Sequence, residues 1–363
     1  MDGLRAIAAF CVISAHFSYW LKFPATKFYD ELRFFMSFGG NLGRIGVICF
    51  FVLSGFLITY LMFVEQAKNG KLNILFFYVR RILRIWPLYF LTLIIGFVIY
   101  PLILHYKGLP YHENASWVMY VLFAANFDHI YHYFPTSNML GVQWSVAVEE
   151  QFYLLWPMVF LFLNKKNFFP FLLILIVICS EAYSIQRGTH IAGGDYHFLS
   201  CIRYLSFGSF LAYLCYNRTE MVVSFLKKIK RFAIFGIYIL CITLMILQNY
   251  ITSNFDAYKY MYHLVPVLFF GFLILEQNYS DHSFFKIGNS KILNWLGKIS
   301  YGLYLTHLIA LNIVISVIPI PEEYVFFNIL LALGLTFLIS HVSYFYFERY
   351  FLKMKDKFSF NLQ

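Results

Sequence analysis

Apolar positions along this chain gather into long runs separated by short polar loops. The runs cover approximately 5–21, 45–64, 82–105, 148–164, 168–183, 197–216, 232–250, 260–277, 299–318 and 325–347, and a helix needs roughly 17–25 residues to cross a bilayer. A further apolar patch, Trp117 to Phe127, is too short to span and is flanked by His112, Asp128, His129 and His132, which places it at the outer surface. No repeat of fixed period, low-complexity tract or soluble appendage longer than a loop interrupts the series. The pattern predicts an all-α integral membrane protein, a bundle of about ten transmembrane helices forming one domain over residues 1–363.

Charge in the loops orients this bundle. With the N-terminus inside, the loops on that side carry Lys68, Lys71, Arg80 and Arg81, then Lys165 and Lys166, then Arg218, Lys227, Lys228, Lys230 and Arg231, then Lys286, Lys291 and Lys298, ahead of a tail with Arg349, Lys353, Lys355 and Lys357. The opposite loops carry Lys22, Lys27, Arg33 and Arg44, then Lys107, Arg187 and Lys259, and one holds Glu322 and Glu323 with no base. The alternation predicts that both termini are cytoplasmic. The first helix lacks a small-residue cleavage site and carries His16, so it reads as a permanent helix rather than a signal peptide.

Composition agrees: 61% of the residues are hydrophobic and 13% charged, against roughly 45–50% and about 25% in soluble chains. The net charge of +10 is spread in short clusters between apolar runs, a topology signal that excludes a nucleic-acid partner. The six cysteines lie inside apolar runs, form no CxxC pair, and read as small core residues.

Against this background each ionisable group at bilayer depth is a candidate for function. Arg5 and His16 are eleven positions apart, which brings them within about 20° of one helix face and puts His16 about 16 Å deeper. Arg81 and Arg84 lie at i, i+3 where the third apolar run leaves the cytoplasm, a spacing that suits a phosphate clamp as well as a membrane anchor. Glu149 and Tyr153 share a face at i, i+4, and depth counting lets the carboxylate reach His16 directly or through one water. Glu150 reads more simply as a helix-terminal acid. Trp144, Ser145, Arg203, Tyr301, Tyr304 and His307 are supporting candidates, with hydrogen-bonded packing the plainer reading of His307. Ser54 and Gly55 suit close helix packing better than nucleophilic chemistry, because no GxSxG elbow surrounds Ser54.

These residues fall in segments that resemble membrane-bound acyltransferase family 3, the bacterial O-antigen acetylase type. The segments are MDGLR through His16, FFVLSGFLIT (50–59), RRILRIWPLY (80–89), QWSVAVEEQFYLLWP (143–157), IRYLSFGSFLAYL (202–214), ISYGLYLTHL (299–308) and YFERYFLKMK (346–355). The resemblance implies a multi-pass protein of the bacterial cytoplasmic (inner) membrane. It implies transfer of an acyl group, usually acetyl, from cytoplasmic acyl-CoA to a hydroxyl of a glycan such as O-antigen or exopolysaccharide. It also implies Arg5, Arg81 and Arg84 as acyl-CoA ligands, with His16 as general base and Glu149 orienting the ring. No metal or permanently bound cofactor is needed, and the chain reads as a stand-alone form without a C-terminal hydrolase-like domain. A short-lived acyl group on His16 or Tyr153 remains open, as do the acceptor, the oligomeric state and the rival reading of a secondary transporter with a His/Arg/Glu relay. Tyr111, Trp117, Tyr131, Tyr133, His112, His129 and His132 in the outer loops suit stacking on sugars and suit a membrane interface equally.

Overall fold

The computed structural model describes the backbone of residues 1–20, 27–132, 134–163, 168–187, 194–255, 262–316, 318, 321 and 324–358, and the side chains of the same residues except 20, 27–40, 163, 187 and 194. Among them all regular structure is helical: α1 (Asp2–Trp20), α2 (Lys27–Asn69), α3 (Ile74–Ile94), α4 (Tyr100–Tyr106), α5 (Trp117–Val121), α6 (Ala125–Tyr131), α7 (Gln143–Leu163), α8 (Phe169–Arg187), α9 (Phe198–Asn217), α10 (Thr219–Lys228), α11 (Arg231–Ile246), α12 (Gln248–Asn254), α13 (Leu264–Tyr279), α14 (Lys291–Lys298), α15 (Ser300–Ser316), α16 (Val325–Val342) and α17 (Arg349–Asp356). Lys22, Tyr133, Lys165, Lys166, Lys259, Glu322 and Glu323 lie outside the described residues, as do the side chains of Lys27, Arg33 and Arg187.

Five described helical stretches are long and apolar enough to cross a membrane: Asn41–Asn69, Ile74–Tyr106, Phe169–Gln186, Phe198–Asn217 and Val325–Asp356. Two bent pairs, α10 with α11 at 92° and α14 with α15 at 69°, raise the number to seven if each is one span. The helices that fall short include α1, interrupted by Arg5 and His16, and α7, interrupted by Glu149, Glu150 and Gln151. Polar side chains lower their apolarity at the positions singled out as candidate chemistry. Large apolar side chains also point outward, among them Phe162, Ile178, Ile239 and Leu330, and such surfaces call for lipid rather than water. The patch Trp117 to Phe127 forms parts of two short helices, α5 and α6, consistent with a non-spanning segment. Cys179 is exposed, so the expectation that all six cysteines are core residues holds for Cys49, Cys201 and Cys215 but not for Cys179, which sits on the outward face of α8.

The chain divides into two compact units. The first comprises Met1–Phe10, Arg44–Leu72 and Leu155–Lys298. Its tightest crossing is between α2 and α9, where a Cβ on Gly55 would lie 1.9 Å from the Leu205 carbonyl oxygen and one on Gly208 would lie 2.1 Å from that of Val52. Next to this crossing, Trp156 Nε1 donates to Thr59 Oγ1 at 2.8 Å and Thr59 donates to Ser209 Oγ at 2.8 Å, so the buried hydroxyls are satisfied. Phe63 packs at 4.9 Å edge-on to Phe160 and at 5.1 Å stacked on Tyr216.

The second unit comprises Cys11–Gly43, Asn73–Leu154 and Ile299–Gln363. Asn73 starts α3 by accepting from Phe76 N at 3.0 Å, relieving one of the orphan donors of a helix N-terminus. α3 continues through Pro87 into a π turn, Ile95–Ile99, and a second π turn, Ser343–Glu348, joins α16 to α17. α15 and α16 are tied by Thr306 and Ser340 hydroxyls 3.0 Å apart. α17 packs along α3, where Arg80 donates to the Phe358 carbonyl at 2.9 Å. The segment between α4 and α7 is folded around two carboxylates. Glu113 accepts from the backbone of Ala115, Thr136 and Ser137 and from the Tyr111 hydroxyl. The fully buried Asp128 accepts from Ser116 N at 2.9 Å and pairs with His132 at 3.0 Å.

Candidate functional site

In the second unit one face of α15 presents Tyr301, Tyr304 and His307 at successive intervals of three residues, neighbours on a helix of 3.6 residues per turn. Each finds a polar partner on another element. Tyr301 donates to the Ile85 carbonyl of α3 at 2.8 Å. The Tyr304 hydroxyl lies 2.5 Å from Ser145 Oγ at the start of α7. His307 Nε2 lies 3.0 Å from Nδ1 of His16 on α1. The two imidazoles are tilted by 37° with centroids 5.0 Å apart. His307 is wholly buried, whereas His16 is partly accessible.

Glu149 and Glu150 diverge although they are adjacent. Glu149 accepts from the hydroxyl of Tyr153, one turn further along α7, at 2.8 Å. Arg81 stands over the Tyr153 ring at 5.9 Å and over Phe77 at 5.8 Å, within the range of cation–π attraction. Glu150 accepts from Trp86 Nε1 at 2.9 Å. Arg84, one turn beyond Arg81, lies in the electrostatic range of Glu348 in the second π turn and of Lys355 on α17. α3 thus carries a guanidinium pair flanked by Lys355, with Tyr153 beneath one member and Glu348 beside the other.

The second unit therefore contains His16, Arg81, Arg84, Trp144, Ser145, Glu149, Tyr153, Tyr304 and His307. The sequence allowed Glu149 to reach His16. In the structure the hydrogen-bond partner of the His16 ring on another helix is His307, and Glu149 bonds Tyr153. Trp144 stands half-buried in the first turn of α7. The other two candidates belong to the first unit. Arg5 donates to Asp2 at 3.1 Å within α1. Arg203 is buried on α9 and donates to Glu181 at 3.0 Å and to the Tyr204 hydroxyl at 2.9 Å, while His263 shares the same Glu181 oxygen at 2.9 Å.

Spacing had not singled out Glu181, His263 or Glu348. Glu348 is the one acid of the YFERY segment and is followed directly by Arg349, so the sequence offers it as half of an ordinary boundary charge pair. Glu181 and His263 sit at the ends of apolar runs, where an ionisable residue reads as an interface group.

Residues 1–345 match the family described as Acyltransferase domain. The peptidoglycan O-acetyltransferase OatA of Listeria monocytogenes is 30% identical over 382 residues, covering 98% of this chain and 57% of that protein. YrhL of Bacillus subtilis, provisionally named a peptidoglycan O-acetyltransferase, is 27% identical over 376 residues, covering 96% of this chain and 54% of that protein. The chain thus spans about half the length of these curated relatives. No solved structure matches it.

Proposed function

Since the chain belongs to the acyltransferase-domain family, we propose that it is a multi-pass membrane O-acyltransferase, and specifically an O-acetyltransferase, drawing its acyl group from cytoplasmic acyl-CoA. The match over residues 1–345 carries this reading. The acceptor is a hydroxyl of a cell-surface glycan. The names of the two relatives favour peptidoglycan over O-antigen or exopolysaccharide, and they name acyl transfer rather than transport.

His16 acts as the general base. It removes the proton of the acceptor hydroxyl as that oxygen attacks the thioester carbonyl, and returns a proton to the departing CoA thiolate. The thioester is already activated, so positioning and a base suffice. Arg81 and Arg84 bind the CoA phosphates, for which guanidinium forks are suited. Glu149 acts through Tyr153, the ring on which Arg81 rests. Arg5 is retained as a phosphate ligand on the resemblance alone. The proposed topology is ten spans with both termini cytoplasmic, a single inner-membrane domain, and the folded α4–α7 segment on the outer side facing the acceptor.

The test is purified protein in lipid with acetyl-CoA labelled in the acetyl group and isolated peptidoglycan as acceptor. Label is expected in ester linkage to the glycan, released by mild base, and His16→Ala is expected to abolish it while still inserting. Transfer at full rate by His16→Ala would remove the base from this scheme. Absence of transfer to any glycan by the active preparation would remove the activity.

A further inference from the structure

We infer that His307 is a positioning residue that fixes the tautomer of His16, leaving Nε2 of His16 as the unprotonated nitrogen. Hydrogen bonds alone dictate the direction. His307 Nδ1 lies 2.7 Å from the Tyr304 carbonyl oxygen and 3.2 Å from that of Leu303. Carbonyl oxygens only accept, so His307 Nδ1 carries the proton. The neutral ring then has a lone pair on Nε2, and Nε2 is the atom 3.0 Å from His16 Nδ1. His16 must therefore donate from Nδ1, and its own lone pair falls on Nε2.

The alternative, a doubly protonated His307, would place a charge in a wholly buried site where none of its described partners is a carboxylate. Such an uncompensated charge costs far more than the neutral pair. α15 thus performs through His307 and a main-chain carbonyl the orienting task that a carboxylate performs in a serine-protease triad. His307 itself is inaccessible, so it acts through His16 rather than on a substrate.

The catalytic consequence rests on the acyltransferase reading. As the acceptor O–H adds to the thioester carbonyl, its proton goes to His16 Nε2, the new C–O bond forms and the C–S bond breaks. The proton on Nε2 then passes to the thiolate. Throughout, His16 Nδ1–H stays donated to His307, which stabilises the transient imidazolium without taking its proton.

Two measurements test the assignment. Solid-state NMR of 15N-histidine-labelled protein in lipid, with signals assigned by His16→Ala and His307→Phe, should find His16 protonated on Nδ1 and bare on Nε2, in contact with His307. The opposite tautomer overturns the inference whether or not the protein transfers acyl groups. In the transfer assay His307→Phe should lower kcat by about 10²-fold, the lower end of what a positioned base contributes. KM for acyl-CoA should change by less than about twofold, and His307→Gln, whose amide oxygen restores an acceptor, should recover about tenfold of the lost kcat. A folded His307→Phe with unchanged kcat beside an inactive His16→Ala overturns the inference and leaves the acyltransferase reading standing. A wild-type protein without transfer activity overturns that reading and leaves the tautomer to be decided by NMR. If His307→Phe fails to fold, His307→Gln and the wild-type spectrum decide.

Discussion

In the proposed scheme Arg84 serves donor binding and Glu149 serves the chemistry, so their substitutions should part the two effects. Arg84 is flanked by Glu348 and Lys355 on the neighbouring elements, and a charge-assisted bond from it to a phosphate is worth about 1.5–3 kcal/mol. Arg84→Ala should therefore raise KM for acyl-CoA by about tenfold to hundredfold with a smaller change in kcat; an unchanged KM in a titration of the donor would end its role as a phosphate ligand. Glu149→Gln keeps the shape but weakens the acceptor of the Tyr153 hydroxyl, and with it the ring under Arg81. About a tenfold loss in transfer rate is expected, as for outer partners that orient a functional group, with Tyr153→Phe producing a similar loss; a fully active Tyr153→Phe would show that Glu149 does not act through that phenol. His16 and Arg84 were legible as candidates in the sequence because a charge inside an apolar run is conspicuous on its own, and Arg81 because it precedes Arg84 by one turn at the mouth of the same run. The partner of His16 was not. Periodicity along one helix says which side chains share a face, but not which other helix lies against it, so the sequence offers His307 as a packing residue and only the contact of α15 with α1 in the second unit pairs it with His16.

At the scale of elements, the apolar runs gave the helices because length and hydrophobicity decide them locally, whereas the packing between helices depends on positions that hydropathy cannot weigh. Gly55 and Gly208 illustrate the point. Both are ordinary members of apolar runs, yet a methyl group on either would press into the backbone of the opposite helix. Gly208→Ala should destabilise the first unit by about 1–3 kcal/mol, the usual cost of overpacking, while Gly236→Ala, with nothing within 4 Å of the added carbon, should be neutral or stabilising by up to about 1 kcal/mol. Thermal unfolding in a fixed detergent compares them, and equal melting of the two variants would contradict the close α2–α9 crossing. In the α4–α7 segment the relevant element is α6. Burial pushes His129 down from its ordinary 6.5 to about 4, so between these values the folded segment binds fewer protons than the opened one. Its stability is then fully present above about pH 6.5 and declines as the pH falls toward 4. Hydrogen exchange of residues 117–131, corrected for the intrinsic effect of pH, should accelerate over that interval in the wild type and less so in His129→Gln; identical profiles would mean that His129 does not control opening.

For the molecule as a whole, the question that joins sequence to function is which side of the membrane each end of the second unit faces. A cytoplasmic donor and an exported acceptor require the Arg81–Arg84 end to open inward and the α4–α7 segment to open outward. The loop charges predict that orientation, because lysine and arginine concentrate on the side carrying α17 and the start of α3. Helix geometry by itself does not, since a bundle is equally stable either way up. Two exposed lysines of the second unit bracket the choice: Lys107 follows α4, and Lys353 lies on α17. With the six native cysteines replaced, Lys107→Cys should react with a membrane-impermeant maleimide added to intact spheroplasts, whereas Lys353→Cys should react only after the membrane is breached. The reverse pattern would turn the arginine pair toward the outside, away from the cytoplasmic acyl-CoA pool. Labelling of both positions in intact cells would instead contradict the placement of a membrane between them, and with it the route that puts donor and acceptor on opposite sides of His16.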